Sequence, residues 1–228
     1  MSSRVAAIST DQKQLYRAGG LAAVVLGIGY LVTFPLYAHV GAPPSGGDAW
    51  FKYLPGKTTV WWTILWLSVF TDILYVPVAF ALYLALKVVN RNAMLLATTL
   101  MVLFVVLDLA VTWSHYASIL TLYRNYSGAT NDAPRAAYVA AVDYASAMLT
   151  SPLEIVYAIV TPSSGILVIG LLMLSGPFNK FTACLGVATG ILGIASLTGF
   201  GPAIIGNAVC ATVWFFLVGF RLYRLAQD

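Results

Sequence analysis

Two carboxyl groups inside long apolar stretches are the side chains of this 228-residue chain with the clearest potential for chemistry. Asp72 lies some 13 residues into one stretch, and Asp108 lies in the next. Thr112 and His115 follow Asp108 by four and seven residues, so an α-helix presents all three on one face. A carboxylate beside an imidazole can act as a general acid and base or relay a proton. The pattern predicts a polar pocket with Asp108, Thr112 and His115 on its wall, Asp72 at its floor and Tyr75 nearby.

A structural role is the alternative for both carboxyl groups. A protonated Asp in an apolar interior can hydrogen-bond to Thr or Tyr on a neighbouring helix and hold the two helices together. His115 and His39 each lie near the end of an apolar stretch, where lipid headgroups begin. The sequence leaves both interpretations of these residues open.

Glu154 has a structural interpretation that we favour over catalysis. Ser151, Pro152 and Glu154 fit a capping box, with Ser at the N-cap, Pro at the first helical position and Glu at the third. The same arrangement brings a carboxyl group close to Tyr157 at one end of the bundle. The candidate catalytic residues are therefore Asp108, His115, Asp72 and Glu154, and the candidate ligand-binding residues are Asp72, Tyr75, Asp108, Thr112, His115 and Tyr157.

Familiar cofactor and metal motifs are missing from the sequence. Two histidines are too few for a di-iron histidine cluster or a bis-haem site, and no Cys/His spacing resembles a zinc site. There is no Gly-Lys-Ser/Thr phosphate loop. We therefore predict no cofactor and no metal.

The composition indicates a membrane protein. Hydrophobic residues make up 60% of the chain and charged residues 9%, against about 25% charged residues in soluble domains. The net charge is +4, but the basic residues occur singly or in pairs between apolar stretches, which does not make a nucleic-acid surface. The bilayer is the expected surroundings, and the whole chain is predicted to be one integral membrane domain.

A helix needs about 20 apolar residues to cross about 30 Å of hydrocarbon. Six stretches meet this condition, at residues 18–39, 59–86, 93–116 (or on to 123), 152–174, 181–198 and 202–222. Residues 48–54 fit a short interfacial helix, and residues 131–150 an extra external or interfacial helix before the fourth span. Three glycines of the fifth span, Gly186, Gly190 and Gly193, predict close helix packing. The predicted fold class is an all-α transmembrane bundle.

Lysine and arginine are more abundant in flanks on the cytoplasmic side of a membrane protein. An orientation with both termini in the cytoplasm places eight basic residues on that side: Arg4, Lys13, Arg17, Lys87, Arg91, Lys180, Arg221 and Arg224. Four remain outside: Lys52, Lys57, Arg124 and Arg135. Tryptophans 61, 62, 66 and 113 then lie toward the outer face, as expected of an interfacial aromatic belt.

Several short motifs occur along the chain: Arg17-Ala18-Gly19 before the first span, the segment 81–87 with Asn90-Arg91 after the second, residues 165–193, and the segment 214–221 at the end. Together they resemble a bacterial six-span integral membrane family of unknown function. The resemblance implies the six-span architecture and the inner membrane of a bacterium. It implies no activity and assigns no site residue.

Three functions fit these observations. The first is a pocket within the membrane that binds a lipid-like or small apolar molecule, with or without catalysis. The second is an accessory or scaffold subunit that packs on a membrane-protein partner, or on a second copy, through the glycines of the fifth span. The third is a small proton-coupled transporter that uses Asp72.

Overall fold

The computed structural model describes residues 10–227, which form helices joined by short turns without any strand. Arg4, one of the basic residues counted for the orientation, lies outside the described residues. In chain order the helices are α1 (Thr10–Val40), α2 (Gly47–Tyr53), α3 (Thr58–Leu86), α4 (Arg91–Gly128), α5 (Asp132–Leu149), α6 (Pro152–Met173), α7 (Lys180–Ala195) and α8 (Gly201–Leu225).

Six helices within residues 10–227 are long and apolar enough to cross a membrane, namely all except α2 and α5. The predicted fold class is therefore confirmed: the protein is an all-α, multi-pass membrane protein, and α5 is the extra helix before the fourth span. The third span is longer than predicted, because α4 continues to Gly128 over 38 residues. At 1.5 Å per residue α4 is about 57 Å long, so its last turns project well beyond about 30 Å of hydrocarbon.

The six spans form a closed ring in chain order. Each helix packs on the next, from α1 through α3, α4, α6 and α7 to α8, and α8 packs back on α1. The short connections make consecutive spans antiparallel neighbours, as in other helical bundles. Large apolar side chains such as Leu21, Phe70 and Phe181 are exposed on the outside of the ring, where lipid surrounds them.

Glycines allow several of these helix pairs to approach closely. A Cβ atom at Gly190 of α7 would lie 2.6 Å from the Cβ of Leu167 on α6, and one at Gly186 would lie 2.7 Å from Nε1 of Trp214 on α8. The predicted close packing of the fifth span is thus confirmed. Its glycines contact helices of the same chain, so they do not form a free surface for another protein.

The two ends of the ring differ in charge and in covering. One end, which we call the basic end, carries Lys13, Arg17, Lys87, Arg91, Lys180, Arg221 and Arg224. The other end, which we call the capped end, is covered by α2, α5 and the projecting part of α4. There Asp143 on α5 accepts a hydrogen bond of 2.5 Å from the backbone N–H of Gly47 at the start of α2. The positive-inside rule predicts that the basic end faces the cytoplasm.

Candidate functional site

Two buried aspartates from neighbouring spans lie side by side in the interior of the ring. Asp72 is the middle residue of the 29-residue α3, and Asp108 lies on α4. Each side chain is 6% exposed, and the two carboxyl groups are within hydrogen-bonding reach of each other. We call them the acidic pair. Among the described residues, the side chains within hydrogen-bonding reach of the pair are Thr112 and Trp113, and neither is basic.

Trp113 binds the acidic pair directly. Its indole Nε1 donates a hydrogen bond of 2.6 Å to Oδ2 of Asp72. We predicted Trp113 at the outer aromatic belt, but its side chain is only 9% exposed and points into the bundle. Trp61 is also fully buried, whereas Trp66 is 65% exposed, as expected of a belt residue.

A π-helical segment in α4 explains the position of Trp113. Residues Asp108–Trp113 form i→i+5 hydrogen bonds instead of the i→i+4 bonds of the flanking α-helix. Two residues five positions apart point in directions about 140° apart on an α-helix, but the wider π turn brings them to one side. Asp108 and Trp113 therefore both face the interior.

The same segment separates His115 from Asp108. The extra residue of a π segment rotates the side chains of all following residues by about 100° around the helix axis, relative to a regular α-helix. The His115 ring packs 6.0 Å from the ring of Tyr144 on α5, and its Nδ1 pairs with the carbonyl of Val111 at 2.6 Å. The structure does not bring His115 to the acidic pair, so the predicted carboxylate–imidazole pair is not formed. His39 ends α1 near the capped end and is likewise apart from the acidic pair.

A second π-helical segment lies on the neighbouring span. Residues Val156–Val160 of α6 are π-helical, and Pro162 follows, which lacks the N–H that a regular helix would need. The hydroxyl of Thr161 donates to the carbonyl of Val156 at 3.0 Å.

The two π segments bring Thr112 and Tyr157 close together. The hydroxyl of Thr112 on α4 lies near both the Asp108 carboxyl group and the Tyr157 hydroxyl on α6. Both hydroxyl oxygens are buried, and neither forms a hydrogen bond of normal length and angle in the described part of the chain. A buried hydroxyl without a partner costs about 1–3 kcal/mol, so this pair is a place where a polar group of another molecule would be stabilised.

Glu154 lies between this site and the capped end. It is the third residue of α6, and its backbone N–H donates to the Ser151 hydroxyl at 3.2 Å. The predicted role of Ser151 as N-cap is confirmed. The half-buried Glu154 carboxyl group is also close enough to Asp108, Tyr116 and Tyr157 to interact with them electrostatically.

Tyr75 lies near the acidic pair and lines a cavity in the centre of the ring. It follows Asp72 by three residues, and its hydroxyl is hydrogen-bonded to that of Tyr30 on α1. Its ring packs edge-on against Phe104 and Phe215, with centroids 5.4 and 5.2 Å away. Tyr75 lines the cavity and is also close enough to both aspartates to interact with them electrostatically.

The cavity has a volume of about 310 Å³, and every one of the six spans contributes to its wall. Most of the lining is aromatic or aliphatic, with polar groups at a few points. On the far wall, Nδ2 of Asn207 on α8 donates 2.8 Å to the carbonyl of Thr189 on α7. The lining residues used below are Tyr30, Tyr75, Phe104, Ser163, Asn207 and Ala208.

Aromatic residues close the capped end above this site. Trp61 stacks on Tyr116 with ring centroids 5.1 Å apart, and Trp50 of α2 packs on both rings. Trp50 is 1% exposed, although α2 lies between spans. This aromatic cluster places buried rings between α2 and the spans at the capped end.

No family model, no curated protein and no solved structure matches this chain. The likeness to a six-span family of unknown function therefore remains a prediction. The described side chains contain no group of three or more His, Cys, Asp or Glu residues that could hold a metal ion.

Five of the seven residues proposed from the sequence lie together: Asp72, Tyr75, Asp108, Thr112 and Tyr157. Glu154 lies at the edge of this group, and His115 is separate from it. Trp113, Tyr30 and Asn207 were not among the residues predicted for the site. Asn207 carried a signal, because an amide inside an apolar span is costly without a partner.

Proposed function

We propose that this protein binds a lipid-like or small, mainly apolar molecule inside the membrane, in the central cavity between its six spans. The single observation that carries the proposal is a cavity walled by every span, one of whose lining residues, Tyr75, is close enough to the acidic pair to interact with it electrostatically. The apolar part of the molecule would contact Phe104 and its neighbours. Its polar part would face Tyr30 and Tyr75.

The size and lining of the cavity support this function. Ligand sites in proteins commonly enclose about 300–1,000 Å³ and combine apolar walls with a few polar groups that fix orientation. The cavity, at about 310 Å³, is at the small end of this range. Its polar groups, Tyr75 on one wall and Asn207 on the other, would orient the bound molecule.

The acidic pair supports a role beyond packing. A carboxyl group near the middle of a span costs a few kcal/mol, and such groups mark substrate or proton pathways in many membrane proteins. Two neighbouring carboxyl groups can share a proton, and a pair of this kind can donate and accept it. If the protein is an enzyme, the pair is the acid–base group that we assign to it.

The structure supports the two alternative functions, a transporter and a scaffold, to different extents. A proton-coupled transporter is the second candidate, because Asp72 lies midway along its span and the acidic pair has no basic partner among the described residues. A scaffold role has less support, since the glycines proposed as its contact surface pack inside the chain. We place the protein in the bacterial inner membrane on the resemblance alone.

Filling the cavity tests the proposal. Ala208 lines the cavity on α8, and its neighbour Val209 is 55% exposed on the outside of the ring. We expect the wild-type protein, purified in mild detergent, to release a small molecule that mass spectrometry detects after denaturation. Ala208→Phe should lower its yield at least tenfold, because the new ring occupies the cavity, while Val209→Phe should leave the yield within twofold.

Two results would contradict the proposal. One is a wild-type protein that releases nothing beyond the bulk lipids present in an unrelated membrane protein purified in the same way. The other is a molecule retained equally by Ala208→Phe, which would lie elsewhere on the protein. Thermal stability of both variants shows whether they fold.

A further inference from the structure

A second cavity lies at the basic end, far from the acidic pair. It has a volume of about 490 Å³ between the start of α7 and the end of α8. We call it the basic groove. Its lining combines two arginines, an amide and aromatic rings: Phe178, Asn179, Phe220, Arg221 and Arg224, with Gly176, Pro177, Thr182 and Leu217.

Both arginines of the basic groove are held in place by neighbouring groups. Nε of Arg221 donates a hydrogen bond of 2.7 Å to the carbonyl of Pro177 in the loop before α7. The guanidinium of Arg224 lies over the Phe220 ring, 4.3 Å from its centroid. These contacts use only part of the five N–H donors of each guanidinium. A fixed guanidinium fork is well suited to a phosphate group.

The positive charge of the groove has no carboxylate to balance it among the described side chains. The carboxyl groups whose side chains the structure describes lie in the middle of the ring or toward the capped end: Asp48, Asp72, Asp108, Asp132, Asp143 and Glu154. The side chains of the two remaining acidic residues, Asp11 and Asp228, are outside the described part of the chain. Lys180 at the start of α7 adds a further positive charge close to the groove. An anion would therefore be attracted to this groove.

The position of the groove favours a lipid anion over a soluble one. Arg221 and Arg224 lie in the last turns of a spanning helix, at the depth where lipid headgroups meet water. Phe220 is 57% exposed, and with Leu217 it continues the groove toward the hydrocarbon. We infer that the basic groove binds the phosphate of an anionic phospholipid, whose acyl chains lie along Phe220 and Leu217.

Lipid titration followed by native mass spectrometry tests this inference on the full-length protein. The probes are phosphatidylglycerol and phosphatidylcholine with identical acyl chains, added to the protein in a neutral detergent. We expect phosphatidylglycerol to bind at least tenfold more tightly, because choline adds a positive charge that the arginines repel. The double variant Arg221→Gln, Arg224→Gln should lower phosphatidylglycerol affinity at least tenfold.

Control variants separate the groove from general positive charge. Arg91 is exposed at the start of α4, across the ring from the groove, so Arg91→Gln should change the affinity less than twofold. If the double variant does not fold, Arg224→Gln alone, which leaves the Pro177 contact intact, should lower affinity at least threefold. The charge-retaining variant Arg224→Lys should bind more tightly than Arg224→Gln.

Three results would overturn the inference. They are equal affinity for the two lipids, an equal loss of affinity in Arg91→Gln, and displacement of phosphatidylglycerol by millimolar inorganic phosphate, which would identify a site for free phosphate. The inference does not depend on the proposed function, since the basic groove and the central cavity share no lining residue.

Discussion

At the scale of single residues, the acidic pair depends on a small number of hydrogen bonds for its stability. Asp72 accepts from Trp113, and Asp108 lies beside Thr112. A hydrogen bond contributes about 0.5–1.5 kcal/mol between neutral groups and about 1.5–3 kcal/mol when one group is charged. Without the Trp113 donor, two buried carboxyl groups in apolar surroundings would strongly destabilise the bundle.

We predict that Trp113→Phe lowers the free energy of unfolding by about 1–3 kcal/mol, because Asp72 loses its indole donor. The measurement is unfolding in mixed micelles at increasing denaturing detergent. A double-mutant cycle with Asp72→Leu should give a coupling energy of about 1 kcal/mol or more. Trp66→Phe, on the exposed face of α3, should change stability by no more than about 0.5 kcal/mol. Strictly additive effects of Trp113→Phe and Asp72→Leu would show that the hydrogen bond does not stabilise the fold.

Most of the site residues could be predicted from the sequence because buried polar groups are costly. Asp72 and Asp108 are ionisable groups in apolar stretches, and Tyr75 and Thr112 follow them at helical spacing. The same spacing rule wrongly placed His115 on the helix face that carries Asp108. The rule assumes 3.6 residues per turn, and the π-helical segment of α4 breaks that assumption.

At the scale of the elements, the two π segments are the features that shape the site. They lie on adjacent helices, α4 and α6, and each turns polar residues toward the acidic pair. Single π turns within α-helices frequently occur at functional sites. Pro162 gave a sequence signal for an irregular α6, but no comparable residue marks the segment in α4.

Close packing of α6 against α7 gives a prediction at this scale. A Cβ at Gly190 would lie 2.6–2.8 Å from Leu167 atoms that include its backbone N and Cα. We therefore expect Gly190→Ala to lower the free energy of unfolding by about 1–3 kcal/mol, since the helices must move apart.

Gly206→Ala is the matched control for this substitution. At that position the nearest atom is Cδ1 of Leu192, 3.3 Å away at the end of a flexible side chain. Its effect on stability should therefore be below about 0.5 kcal/mol in the same micelle unfolding assay. Equal effects of the two substitutions would show that α6 and α7 are not in the close contact described.

At the scale of the whole molecule, the number of spans follows from the apolar stretches, whereas the ring does not. Hydropathy gives the lengths of helices and says nothing about which helices are neighbours. The cavity depends on side chains from all six spans, including Tyr30, Phe104 and Asn207. The covering of the capped end was also only partly predictable. Beyond its apolar stretch, α4 continues as a helix and packs against α5.

The most direct test of the central proposal is a high-resolution structure of the protein in a lipid nanodisc, made from membranes that supply its natural ligand. We predict non-protein density inside the ring, between Tyr75 and Asn207, with its polar end toward the Tyr30 and Tyr75 hydroxyls. A cavity that is closed by repacked side chains, or that contains only lipid chains continuous with the surrounding bilayer, would contradict the proposal.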